Sequence, residues 1–296
     1  MIRAALPVAL FFVAALFAAP VSLLFAQNSA FTNVNCNAPG VSLQQHIDNA
    51  PAGATLGITG PCVGPFIIRR DVLLVGGVIH SLSAPNGSNF VLLIKEGASV
   101  RMHDLRFNAQ GVSTGIQVLE GSTLVAGANV LIENALDWGI GVGQNSTLTL
   151  GESSLRYNGN GLQLADSSHA TISGSSISDN VSFGISVEAS STANIQNSQI
   201  LNNGHTGLFI EASSVATLVG TTISGNGFIG VRVEFANTGL HIGGAPSTIE
   251  NNSPIDVSCI PGSFIAVSQP VISGTKLSDI EAGCMVRPDP ASIFVP

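Results

Sequence analysis

Only 9% of the residues in this chain are charged, yet three of the acids recur in register. Glu188, Glu211 and Glu234 stand 23 residues apart (211 − 188 = 234 − 211 = 23). Each closes a short apolar alternation that opens on glycine: GISVE from 184, GLFIE from 207 and GVRVE from 230. Stacked about 5 Å apart on one surface, such carboxylates raise the pKa of at least one member or attract a cation. Paired carboxylates can also supply the acid and base of glycoside cleavage. Phe209 and Arg232 alternate with the stripe, and Trp138, Phe183, His205 and Phe228 stand just before the strands that carry it or its equivalents. Acids beside aromatic faces suit a neutral sugar chain. The plain alternative is a solvated face on which Arg232 offsets its acidic neighbours and the rings pack on one another.

The stripe has meaning only if the chain turns once every 23 residues, and the rest of the sequence says that it does. GIQVLEGST (115), GIGVGQNST (139), GLQLADSSH (161), GISVEASST (184), GLFIEASSV (207) and GVRVEFANT (230) align, with looser copies at 64, 89 and 254. Within each unit, apolar residues fall at offsets +1 and +3, +9 and +11, and +16 from the glycine. At +16 these are Leu105, Leu131, Leu155, Ile177, Ile200 and Ile223. Period-2 alternation marks strands with one buried face. Three strands per unit leave no room for a helix, so each unit is one coil of a single-domain, all-β parallel β-helix, with about nine coils in all. Offsets +2 and +4 then face outward, which aligns the three glutamates. Asp104 and Arg106 straddle Leu105 and read as solvated charges.

Offset +19 is asparagine in six consecutive coils: Asn108, Asn134, Asn158, Asn180, Asn203 and Asn226. A carboxamide that recurs this strictly at a turn predicts an inward ladder, each side chain bonding turn backbone and the next asparagine. The glycine at offset 0 follows that turn and marks a place a Cβ would hinder.

Low charge follows from this pattern, since coils are covered by Ser, Thr, Asn and Gly. With 18 acids against 10 bases, the chain has no basic stripe for nucleic acid. Residues 1–26 read as a leader: Arg3, a long apolar stretch and Ala26 before a polar start. The mature chain is then expected in the periplasm or outside the cell, as a monomer with no membrane span. Residues 27–63 form an N-terminal cap with a short helix near 42–50, where Ser42 and Gln45 set a capping box and Leu43, Ile47 and Ala50 an apolar face. Coils run over 64–258, and 259–296 hold a last coil and cap. The four cysteines allow three pairings; Cys36–Cys62 and Cys259–Cys284 would staple one end each in an oxidising compartment. No metal ligand set is expected, since His46, His80, His103, His169 and His241 share no spacing. No cofactor is expected either, beyond a Ca²⁺ ion at the glutamate stripe.

The three-strand coil, the asparagine repeat and the opening SLQQHIDNAPAGATLGITGPC (42–62) resemble the right-handed parallel β-helix repeat proteins of the pectate-lyase-like superfamily, in particular exported bacterial ones. The resemblance covers roughly residues 36–284. It implies the right hand of the helix and polysaccharide as the common ligand, but no single chemistry. The superfamily's polygalacturonase signature is missing, and Asp289-Pro290 lacks the His-Asp of the mannuronan epimerase motif. The expected function is therefore binding of polysaccharide or another surface partner without catalysis. The alternatives are a polysaccharide lyase or glycoside hydrolase using the stripe, and a structural or adhesin module.

Overall fold

The computed structural model describes residues 31–77, 80–260, 262–267, 272–273 and 285–288. The leader expected over 1–26, Cys284 and most of the C-terminal cap lie outside the described residues. Three parallel sheets wrap one continuous core. Sheet I has twelve strands, from Phe31–Asn35 to Met285–Pro288. Sheet II has ten, from Cys62–Val63 to Ile272–Ser273, and sheet III nine, from Phe66–Ile68 to Ile255–Cys259. A typical coil passes through Thr123–Ala126, Leu131–Glu133 and Trp138–Val142, one strand in each sheet. Every strand pairs in parallel with its equivalent one coil away, as in Leu124↔Leu148, Ile132↔Leu155 and Ile140↔Leu162.

The alternation places aliphatic side chains inside without exception in the central coils: Ile185, Val187, Ala193, Ile195 and Ile200 are all buried. The third inward column departs from the +16 expectation in two coils. Phe107 pairs with Ile132, and Ile132 with Leu155, so these residues hold the column in place of Leu105 and Leu131. The coils from 89 and 115 are longer than those that follow, and the added length falls ahead of the strand in sheet II.

The same slip removes two asparagines from the ladder. Asn108 pairs with Glu133, and Asn134 donates to Asn108 (3.0 Å) in a separate, half-buried contact. The buried ladder starts at Asn158 and runs through Asn180, Asn203 and Asn226, with amide-to-carbonyl steps of 3.2, 2.9 and 3.0 Å. It extends one coil further than expected, to Asn252 (2.8 Å), and ends on the carboxylate of Asp256 (2.9 Å). Each ladder amide also donates to a strand carbonyl, and each carbonyl takes a backbone N–H, so buried turn groups are satisfied.

Two hydroxyl ladders turn the other corners. Ser146, Ser191 and Ser214 accept the backbone N–H of Ser122, Ser168 and Ser191 in the coil before, between sheets III and I. Ser153, Ser175 and Ser198 do the same between sheets I and II. Both recur at fixed offsets, +7 and +14.

The repeated glycine is explained by close approach. A Cβ on Gly184 would stand 2.5 Å from the Gly207 carbonyl oxygen and 2.8 Å from Asn203 Nδ2. The backbone therefore presses against the ladder just before each strand of sheet III.

At the N-terminal end, a helix over Leu43–Asn49 caps the stack, with Ser42 Oγ accepting the Gln45 N–H. Leu43, Ile47 and Ala50 are buried beneath it. Gln44 imitates a missing strand: its Oε1 takes the Ile67 N–H (2.8 Å) and its Nε2 donates to the Ile67 carbonyl (2.9 Å). That closes the open edge of sheet III. A Cys36–Cys62 disulfide ties the cap down. Sheet I begins ahead of position 64, because Phe31–Asn35 already pairs with Ala54–Thr59.

Candidate functional site

Sheet III positions the stripe. Val187, Ile210 and Val233 are paired in register and point inward, so the residue after each lies in one column on the corner side: Glu188, Glu211 and Glu234. The outward residue two places earlier is Ser186, Phe209 or Arg232, again in register.

The three carboxylates are not equivalent. Glu188 accepts a hydrogen bond from Ser186 Oγ (2.5 Å) and a longer one from Gln163 Nε2 (3.4 Å). Glu234 is ion-paired with Arg232. Glu211, between them, has no side-chain hydrogen bond among the described residues. Partial burial pushes its pKa up, the charges of Glu188 and Glu234 push it further, and Arg232 offsets part of this.

The rings gather around this column. Phe183 stacks on Phe209, with centroids 5.6 Å apart and an 18° angle between planes. His205 meets Phe183 edge-on at 5.1 Å and tilts against Phe228 at 4.6 Å. The Arg232 guanidinium lies over the Phe209 ring at 5.9 Å. Burial, and then the charge of Arg232, hold the His205 imidazole below its ordinary pKa, and its Nδ1 is 3.0 Å from Thr206 Oγ1. Trp138 is set apart: it pairs with Asn160, whose side chain in turn accepts the Phe183 N–H. The patch therefore comprises Phe183, His205, Phe209, Phe228 and Arg232 with the three glutamates, and Trp138 stands outside it.

Arg106 is not a free surface charge. With Arg156 it clamps Glu133, whose side chain is only 4% exposed; Arg106 Nε is 2.7 Å from Glu133 Oε1, and Arg156 Nε is 3.5 Å from Oε2. Asp104 is likewise engaged, by His103 (2.7 Å) and Asn129 (2.8 Å). These partners escaped the sequence reading because each is more than 20 residues from its mate or hidden by an irregular coil. No group of three or more His, Cys, Asp or Glu side chains among the described residues is arranged to hold a metal ion, so the glutamate column does not form a ready calcium site.

Fold and face together define an all-parallel β-solenoid that presents an acidic, aromatic strip along one sheet. The chain belongs to the right-handed β-helix family: the family model described as "Right handed beta helix region" matches residues 90–254. No curated protein matches it in sequence. Among solved structures it is similar to an alginate lyase from Paenibacillus sp., at 13% identity over 88% of this chain and 98% of that one, with a TM-score of 0.65. It is also similar to the A-module of a mannuronan C-5 epimerase from Azotobacter vinelandii (17% identity, 86% and 94% covered, TM-score 0.59). A third is the ORF18 protein of Geobacillus virus E2 (9% identity, 89% and 62% covered, TM-score 0.63). At these identities the likeness is one of fold.

Proposed function

We propose that the sheet III strip binds a neutral polysaccharide without cleaving it. The observation that carries this reading is the continuous cluster of Phe183, Phe209, His205 and Phe228 beside the glutamate column, with Arg232 spanning both. Ring faces take the apolar faces of sugars, and carboxylates accept their hydroxyl protons. Solved neighbours named for alginate lysis and mannuronan epimerisation support a glycan as the ligand. Secretion or export fits that role and the Cys36–Cys62 disulfide.

Catalysis by the stripe is the second reading, and Glu211 is the observation in its favour. A carboxyl group with a raised pKa is a general acid in kind. Hydrolysis needs a second, uncommitted carboxylate across the bond, and Glu188 and Glu234 are each engaged by a neighbour. The two readings separate experimentally. Wild type, Phe209→Ala and a triple Glu188/Glu211/Glu234→Gln variant are screened on a glycan array. The same proteins are incubated with a polysaccharide panel, following reducing ends and unsaturated products. Binding lost in Phe209→Ala with no product formed is the expected result. A wild type that binds no glycan, or a Phe209→Ala variant that binds like wild type, would sink the strip as the site; product formation abolished in the triple variant would establish the enzyme instead.

A further inference from the structure

A second feature lies on another side of the solenoid, where sheet I turns into sheet II. A trench of about 580 Å³ runs there along the helix axis. It crosses from the coil of Asn129 to that of Gln199, which is three inter-coil steps or about 14 Å. That is the length of a short oligosaccharide.

Its shape follows from side-chain size. Ser154 and Ser176, paired in register on sheet II, make a low floor of hydroxyls. Glu152 and Asn197 stand along the corner wall, and Gly174 between them has no side chain to fill the gap. Arg156 closes the opposite wall.

Arg156 is the unusual member. Its Nε is buried and makes no hydrogen bond among the described residues, since the 3.5 Å approach to Glu133 Oε2 is an ion pair without hydrogen-bond geometry. Glu133 is already held by Arg106. The remainder of the Arg156 guanidinium, 41% exposed and backed by the Tyr157 ring at 5.3 Å, keeps donors free on the trench side. A planar fork of this kind takes a carboxylate in a bidentate pair.

Among the described residues only one such cation lines the trench, and Glu152 stands across from it. A chain with a carboxylate on every sugar would set one of them against Glu152. We infer that the trench is a second carbohydrate site, separate from the sheet III strip, for an oligosaccharide in which an acidic sugar lies between neutral ones: Arg156 takes the carboxylate, and Ser154, Ser176 and Gln199 take hydroxyl groups.

The test uses isothermal titration of the full chain with three probes. These are a hyaluronan tetrasaccharide, in which uronate alternates with a neutral N-acetylated sugar, trigalacturonate, and cellotetraose. The hyaluronan fragment is expected to bind tightest. Arg156→Gln should weaken it about ten- to a hundredfold, the value of a charge-assisted contact. Arg156→Lys should fall between. Ser176→Phe fills the trench from an outward position and should abolish binding with the circular dichroism unchanged, while Phe209→Ala should bind like wild type. Failure of the wild type to bind the hyaluronan fragment would overturn the inference. So would equal affinity for trigalacturonate, or unchanged affinity in both Arg156→Gln and Ser176→Phe. Because Phe209→Ala reports on the strip alone, the two sites stand or fall separately.

Discussion

Asn203 is the clearest place to perturb the scaffold beneath the strip. Its carboxamide donates to Asn226 Oδ1 (3.0 Å) and to the Ile177 carbonyl (3.2 Å), and accepts from Asn180 Nδ2 (2.9 Å) and the Asn180 N–H (3.2 Å). Alanine would remove all four bonds. Asn180 Nδ2 keeps the Leu155 carbonyl, and Asn226 Oδ1 keeps the Asn203 N–H, but the buried Asn180 N–H is left without a partner. One orphaned buried donor costs about 1–3 kcal/mol, and the lost bonds and small cavity bring the expected total to about 3 kcal/mol. Asn108→Ala is the matched control. That asparagine accepts one bond from Asn134 at 3.0 Å in a half-buried setting, so its loss should cost less than about 1 kcal/mol. Urea unfolding followed by circular dichroism gives both values. Amide exchange adds the location, because a solenoid opens locally and the coils around 180–226 should lose protection first. An Asn203→Ala variant no less stable than Asn108→Ala would refute the ladder as the element that holds this corner.

Two further substitutions probe the packing and the electrostatics. Gly184→Ala should cost about 1–3 kcal/mol, because its Cβ would meet the Gly207 carbonyl and the Asn203 amide; Gly141→Ala, whose Cβ would meet nothing within 4 Å, should lie within about 0.5 kcal/mol of wild type in the same unfolding assay. Equal losses would remove the steric account of the repeat glycine. Glu211→Gln should gain a few tenths of a kcal/mol at neutral pH by ending repulsion from Glu188 and Glu234. Because the pKa of Glu211 is raised in the folded state, the native protein holds this proton more tightly than the unfolded chain. Stability is therefore lost as pH rises from the ordinary carboxylate range through the raised value. The gain in Glu211→Gln should disappear near pH 3, where the wild-type carboxyl is protonated in both states; a gain independent of pH contradicts the repulsion.

Much of this molecule is written in a period. Apolar positions at +1, +3, +9 and +11 need no tertiary information to be read as stacked strands, because a strand buries alternate residues whatever lies beyond it. The same period places Glu188, Glu211 and Glu234 in one column, and the helix near 42–50 is legible from its cap and its three apolar residues. Where coil length changes, sequence offsets lose their meaning. Asn108 and Asn134 fit the count but not the corner, since the added residues move the inward place past them, while Asn252 fits the corner at a spacing the count does not predict. Ser122, Ser146, Ser153 and Ser175 were in the pattern as well, but serine is too common in this chain for its recurrence to stand out.

What a side chain does with its neighbours is decided in three dimensions. The sequence alone determined a parallel solenoid with acids and rings along one face, because burial and period are local properties of the chain. Only the tertiary structure divided the three glutamates into two engaged and one with a raised pKa, separated Trp138 from the other rings, and set Arg156 beside a trench with Glu133 beneath it. Those outcomes depend on angstrom-scale distances between residues more than 20 positions apart. Coil-length variation sets such distances, and no spacing rule carries them.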